Sequence, residues 1–172
     1  MGKVISNATP LIYLAKADKL GLLKKVFRQV IIPEEVKNEI VDEGKKLGEM
    51  DAYLVEQAIK EGWIKVLNTK ELIEIPLQLE KGEIAVLSLA KNMNVEEVLI
   101  DEAPARLTSE ILEIKPRGTI FVLLKALDKE HMGFDEFLSI LDGMIEVGFR
   151  LKEEVYIRAI QAARRIAYGE CH

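Results

Sequence analysis

The stretch Lys81-Gly82-Glu83-Ile84-Ala85-Val86-Leu87-Ser88-Leu89-Ala90, followed by Val98-Leu99-Ile100-Asp101-Glu102, decides how the chain folds. Its first part carries an apolar face at helical spacing with Glu83 in the opening turn, which predicts a helix from about residue 82 to 92. The second part is a short aliphatic run that ends in two acids. That is the pattern of a buried strand whose carboxyl end delivers Asp101 into solvent. A helix feeding a buried strand is the unit of a parallel sheet, and ligands bind such sheets at the carboxyl ends of the strands. Glu83 and Asp101 are therefore candidate site residues presented by rigid elements.

Upstream, Lys3-Val4-Ile5-Ser6 is a second strand, followed by Asn7-Ala8-Thr9-Pro10 and an apolar helix. Pro10 suits the first helical position and Thr9 the N-cap, which leaves Asn7 at a strand's carboxyl end. A helix is expected from about Lys19 to Phe27, then a strand over Val30-Ile31-Ile32. Pro33 opens a helix carrying Glu34, Glu35, Val36, Glu39 and Ile40, with Gly44 as its expected end. Glu35 and Glu39 stand one helical turn apart, so either can present a carboxylate. An amphipathic helix from Asp51 to Lys60, with Tyr53, Leu54, Ala58 and Ile59 inward, closes at Gly62 before the strand Trp63–Leu67. Residues 68–80 have no periodicity and read as a surface connection.

Downstream, a helix from about Ala103 to Leu112 leads through the connection 113–118 to a helix over Ile120–Leu127, with Thr119 as its N-cap. Strands alternating with helices predict an α/β fold with a parallel sheet covered on both faces and right-handed crossovers. Past Gly133 the strands stop. Phe134, Phe137, Leu138, Leu141, Met144 and Ile145 lie at helical spacing, suited to core or to a dimer interface, and a last helix spans Val155–Ile166 with Arg158, Arg164 and Arg165. The expected division is a domain over 1–132 and a helical extension over 133–172 that packs on it or pairs with another copy.

Composition narrows the chemistry. A chain of 172 residues supports one domain with a sizeable core. A net charge of −5 argues against coating nucleic acid by bulk electrostatics, although a local basic patch stays open. Lys115, Arg117 and Arg106 flank a strand end and are the candidate phosphate contacts; Arg158, Arg164 and Arg165 read as a solvated face or as further contacts. The single cysteine, Cys171, excludes a disulfide framework or a cysteine zinc site and is expected to be inert. No apolar run reaches the length of a membrane span and no signal peptide is recognisable, so a soluble, cytoplasmic protein is expected.

Strand ends and helix openings together offer Asn7, Glu39, Glu83 and Asp101, with Glu102 beside the last. An oxygen-only set suits Mg²⁺ or Mn²⁺ and is wrong for structural zinc. Its natural chemistry is metal-assisted phosphodiester hydrolysis. A side-chain nucleophile has no support, because His131 and His172 lie in the extension and no serine or cysteine comes with a base. Each residue also has a plainer role: Glu83 as a helix-dipole acid, Asp101 as an N-cap, Asn7 as a turn residue, Glu39 as a solvated face, Glu102 as a surface or supporting residue.

Ile5-Ser6-Asn7-Ala8-Thr9-Pro10-Leu11-Ile12, Ile32-Pro33-Glu34-Glu35-Val36 with Glu39, Gly82-Glu83-Ile84-Ala85, Leu99-Ile100-Asp101-Glu102 and Gly118-Thr119-Ile120, in that order, resemble a PIN-domain protein of the VapC-like ribonuclease toxin group, over roughly residues 3 to 130. The resemblance implies a three-layer α/β/α fold with a central parallel sheet, a divalent-metal site of acidic residues and cleavage of RNA. It also implies a prokaryotic toxin–antitoxin pair, hence an antitoxin partner, and a homodimer. The family pattern places aspartate at the first strand end, where this chain has Asn7. An amide oxygen coordinates Mg²⁺ but brings no charge, so weaker metal binding is expected. A module that binds RNA or a protein partner without cutting is the competing expectation, and a phosphoacceptor receiver domain fails because Ser6-Asn7 stands where it needs paired acids.

Overall fold

The computed structural model describes residues 2–75 and 77–169; Cys171 and His172 lie outside them. The chain runs β1 (Lys3–Ser6), α1 (Ala8–Lys16), α2 (Leu22–Val26), β2 (Gln29–Pro33), α3 (Glu34–Lys37), a π-helical segment (Asn38–Glu43), α4 (Gly44–Lys46), α5 (Met50–Glu61), β3 (Ile64–Leu67), α6 (Lys81–Met93), β4 (Glu97–Leu99), α7 (Ala103–Ile111), β5 (Lys115–Arg117), α8 (Thr119–Asp128), α9 (Phe134–Glu146) and α10 (Glu153–Tyr168). The five strands form one parallel sheet in the order β3-β2-β1-β4-β5. The chain moves outward from β1 through β2 to β3, then returns through α6 to β4 and β5. With right-handed crossovers, helices before and after β3 cover opposite faces. The direction reverses between β1 and β4, and the crevice beyond their carboxyl ends is the natural ligand position in such a sheet.

The strands are short and buried on both sides: Val4, Ile5, Val30, Ile31, Ile32, Val98, Leu99 and Ile100 are buried in one core cluster, which explains their continuous apolar runs. The helical extension joins the same core, with Phe137, Leu141 and Met144 fully buried. Helix α10 packs on α8, and α9 on α8 and α1.

Several sequence expectations shift by tertiary context. β5 escaped the reading because Lys115-Pro116-Arg117 has no strand signature; Pro116 pairs with Val98 at the sheet edge, where a missing N–H is tolerated. Gly44 does not end its helix. A Cβ there would stand 2.8 Å from Cβ of Ala52, so glycine admits α5 at close approach, and Gly48 at φ 72° follows the helix instead. Tyr53 faces out, and α5 buries Asp51, Ala52, Val55 and Ala58. The residue preceding α1 is Asn7 and that preceding α8 is Gly118; neither Thr9 nor Thr119 is an N-cap. The π segment lets both Ile40 and Val41 reach the core, since its wider turn places residues five apart on one side.

Candidate functional site

At the carboxyl end of the sheet, Asn7, Thr9, Glu39, Glu80, Glu83 and Glu102 line one cleft of about 430 Å³ together with Gln78, Leu79 and Pro104. Asn7 follows β1 directly, its backbone N–H extending the ladder to Leu99 O at 2.9 Å. Its side chain does not cap α1; the amide nitrogen donates to Glu102 Oε2 at 3.3 Å. Thr9 Oγ1 donates to the other oxygen, Glu102 Oε1, at 2.5 Å. Glu102 is thus held on both oxygens by residues of the first strand–helix turn.

Glu83 is buried in the first turn of α6, and its Oε1 accepts from the Glu80 backbone N–H at 2.9 Å, one half of a capping box. Both of its plain and functional roles are therefore physically available at once, because a carboxylate has a second oxygen to spare. Glu39 arrives from the π segment and Glu35 does not line the cleft. Gly82 makes room for the cluster: a Cβ on it would lie 3.3 Å from Glu39 Oε2 and 3.4 Å from Asn7 Oδ1. The two oxygens therefore look toward the same point on α6.

Two of these acids, Glu39 and Glu83, have raised proton affinity. The Glu39 carboxyl is pushed above its ordinary value by desolvation first and then by Glu80, Glu102 and Glu83. Glu83 is pushed up by burial, with Glu102 and Glu80 adding, while its backbone hydrogen bond acts in the opposite direction. A cluster that holds like charges in a cleft without an internal cation is electrostatically poised for one. Among the described residues, no three acid, histidine or cysteine side chains already stand in an arrangement that would hold an ion. The donor set, carboxylate oxygens with one amide oxygen, suits a hard divalent cation.

Asp101 stands apart from this cleft. Its Oδ1 accepts from the Thr119 backbone N–H at 2.8 Å and its Oδ2 from Thr119 Oγ1 at 2.7 Å, so it ties the turn after β4 to the start of α8. Gly118 is required there: a Cβ would come within 2.9 Å of Asp101 Oδ1. Burial pushes the Asp101 carboxyl up, against the two Thr119 hydrogen bonds and the Arg106 guanidinium that favour its charged form. Of the four residues expected to gather, Asn7, Glu39 and Glu83 share the acid cleft, while Asp101 lines neighbouring clefts and Glu102 takes the place beside Asn7. A signal for Glu102 was present in the sequence. Glutamate at the residue preceding α7 is a poor cap, and here it makes no cap hydrogen bond. Of the candidate phosphate contacts, Arg117 is paired with Glu97 at 2.9 Å and Arg106 donates to Ile100 O at 2.9 Å. No described helix is long and apolar enough to cross a membrane.

The PIN-domain model DUF3368 matches residues 3–165 of the chain. Neither curated proteins nor solved structures give a match.

Proposed function

Because the chain belongs to the PIN-domain family, whose members are generally nucleases that use divalent metals, we propose that it is a Mg²⁺- or Mn²⁺-dependent endoribonuclease. The observation that carries this reading is the cleft in which Glu39, Glu80, Glu83 and Glu102 converge with Asn7 at the crossover reversal of the sheet. Glu39, Glu83, Glu102 and the Asn7 side-chain oxygen are the groups to hold the cation. When bound, the ion polarises a phosphate and lowers the pKa of a water, supplying the nucleophile that no side chain provides. Thr9 orients Glu102 through its hydroxyl, and the Asn7 amide holds the same carboxylate while keeping its oxygen available. Asp101 positions this apparatus from behind by fixing the 100–102 turn to Thr119. Burial and neighbouring acids raise the proton affinity of Glu39 and Glu83, so protons would compete with a cation for these carboxylates and metal affinity should rise with pH.

The role of toxin in a toxin–antitoxin pair, with an antitoxin and a second copy of the chain as partners, is part of the same proposal and rests on the resemblance of the Ile5–Ile12 turn and its companion motifs. A second reading, a PIN module that binds RNA without cutting, is favoured by one observation. Asn7 brings no charge and its amide nitrogen is already engaged with Glu102.

Mn²⁺ titration by calorimetry on the wild type, Glu102→Gln and Asp101→Asn, followed by incubation of each with a mixed RNA pool, tests both. We expect wild-type binding and cleavage, loss of both in Glu102→Gln, and retained metal binding in Asp101→Asn, whose carbonyl oxygen still accepts from Thr119. Wild type that neither takes up metal nor cuts would leave the binding module.

A further inference from the structure

Glu39 reaches the acid cleft from the π segment Asn38–Glu43, and both ends of that segment are held. At the near end Val36 is fully buried, and a Cβ on Gly82 would meet its Cγ2 at 3.4 Å and Glu39 Oε2 at 3.3 Å. Val36 and Glu39 therefore face α6 together, as residues three apart on a helix do. At the far end Gly44 is buried, and a Cβ on it would stand 2.8 Å from Cβ of Ala52 on α5. The chain between these two contacts cannot slide without losing one of them.

The buried positions between those contacts are Val36, Ile40, Val41 and Gly44, at i, i+4, i+5 and i+8. An α-helix with one face on a core buries i, i+3, i+4 and i+7, so this stretch carries one residue more than the pattern needs, placed between Val36 and Ile40. A π turn closes on i→i+5 and takes up one residue more than an α turn, which accommodates the surplus. The Lys37–Asp42 ion pair, with Nζ at 3.1 and 3.2 Å from the two Asp42 oxygens, joins residues five apart, the period of that wider turn. The surplus decides where Glu39 stands. Without the exposed Asn38, Glu39 would follow Val36 by two residues, a position that does not share Val36's side of an α-helix.

We propose that the π segment is a one-residue insertion with a positional role: it turns Glu39 from the solvent side of an ordinary α-helix into the acid cleft, and Lys37 and Asp42 are the positioning pair that holds the wide turn. That the Glu39 carboxylate serves a cation there rests on the nuclease reading; its placement does not. π turns are rare and frequently stand at functional sites. Here the wide turn gives the core nothing that Val36, Ile40, Val41 and Gly44 would not also give at i, i+3, i+4 and i+7. What it adds is the direction of Glu39, toward the point on α6 that the Asn7 side-chain oxygen also approaches.

The test is deletion of Asn38 in the whole chain, read by urea unfolding without metal and by Mn²⁺ calorimetry. The deletion puts Lys37 and Asp42 four apart, a pairing that an α-helix also makes, and gathers the buried residues on one face. Its urea midpoint is expected to equal or exceed that of wild type, while Mn²⁺ affinity falls about tenfold or more with one carboxylate gone from the site. Glu39→Gln is expected to weaken Mn²⁺ binding in wild type and to change nothing in the deletion background. Lys37→Gln and Asp42→Asn separate positioning from charge. As bare charges they would act in opposite directions, the first tightening the cation and the second loosening it. Loss of a positioning pair is instead expected to weaken binding about two- to threefold in both, and the exchange Lys37→Asp with Asp42→Lys to restore it. A deletion that fails to fold or unfolds at lower urea, one that keeps full Mn²⁺ affinity, or opposite shifts in the two single variants would overturn the proposal. If wild type takes up no Mn²⁺, the cation reading falls and the urea midpoint of the deletion decides the insertion by itself.

Discussion

Asp101 and Glu102 are consecutive carboxylates on one turn, and the molecule uses them in opposite ways. Asp101 meets a backbone N–H and a hydroxyl of Thr119, so its charge is compensated by donors and it joins two elements. Glu102 also meets two donors, on Asn7 and Thr9, yet it faces Glu39 and Glu83 across a cleft and adds to the repulsion there. In the first environment burial still raises the carboxyl's proton affinity, but two donors and the Arg106 guanidinium oppose it. In the second, Glu39 and Glu83 face further carboxylates, which is the electrostatic difference between the two positions.

The contrast breaks most severely at Asp101. Replacing it by alanine leaves the buried Thr119 without an acceptor for its N–H and hydroxyl at the start of α8, and should cost about 2–3 kcal/mol in urea unfolding. Asp101→Asn should lose about half of that. Equal stabilities for Asp101→Ala and wild type would show that the Thr119 contact is not made in solution.

Asn7→Asp sharpens the contrast on the other side. The new carboxylate loses the amide donor to Glu102 and adds repulsion, so the metal-free protein should be destabilised by about 1 kcal/mol. With Mn²⁺ present the order reverses, and affinity by calorimetry should rise roughly tenfold, because a hard cation is held largely by charge. Unchanged metal affinity would place Asn7 outside the cation's reach.

The smallest effect is a pH dependence. Glu39 and Glu83 have native pKa values above the ordinary 4.5. Below that value both are protonated whether the chain is folded or not, and their contribution to stability is fully present. It is lost as pH rises through the raised native values, since the folded state then accepts charge in the cleft. Glu39→Gln removes that loss for one group. Its thermal midpoint, measured without metal, should match wild type near pH 4.5 and exceed it by about 1–2 °C at about pH 8. A difference that stays flat with pH would show that the folded state does not raise the Glu39 carboxyl.

Much of this was legible locally. The aliphatic strands, the helices that follow β1 and β2 and the one starting near Gly82, and the closing turn at Gly62 follow from side-chain periodicity and turn chemistry, which act within a few residues, although the first helix begins two residues before the expected Pro10. Glu83 could be placed because it stands a fixed distance into α6 after a recognisable start. β5 could not, because three residues with a proline become a strand only by pairing with β4. Nor could the rim of the acid cleft, because Glu80 belongs to an aperiodic connection.

The amino-acid sequence by itself determined the alternation of strands and helices, hence a parallel sheet with Asn7, Glu39, Glu83 and the 101–102 pair near one end of it. Periodicity and capping carry that much, because they are properties of neighbouring residues. Only the tertiary structure decided which member of the pair enters the acid cleft. That choice is a rotation of one turn, and it is set by Thr119 on one side and by Asn7 and Thr9 on the other, three residues brought together by the sheet.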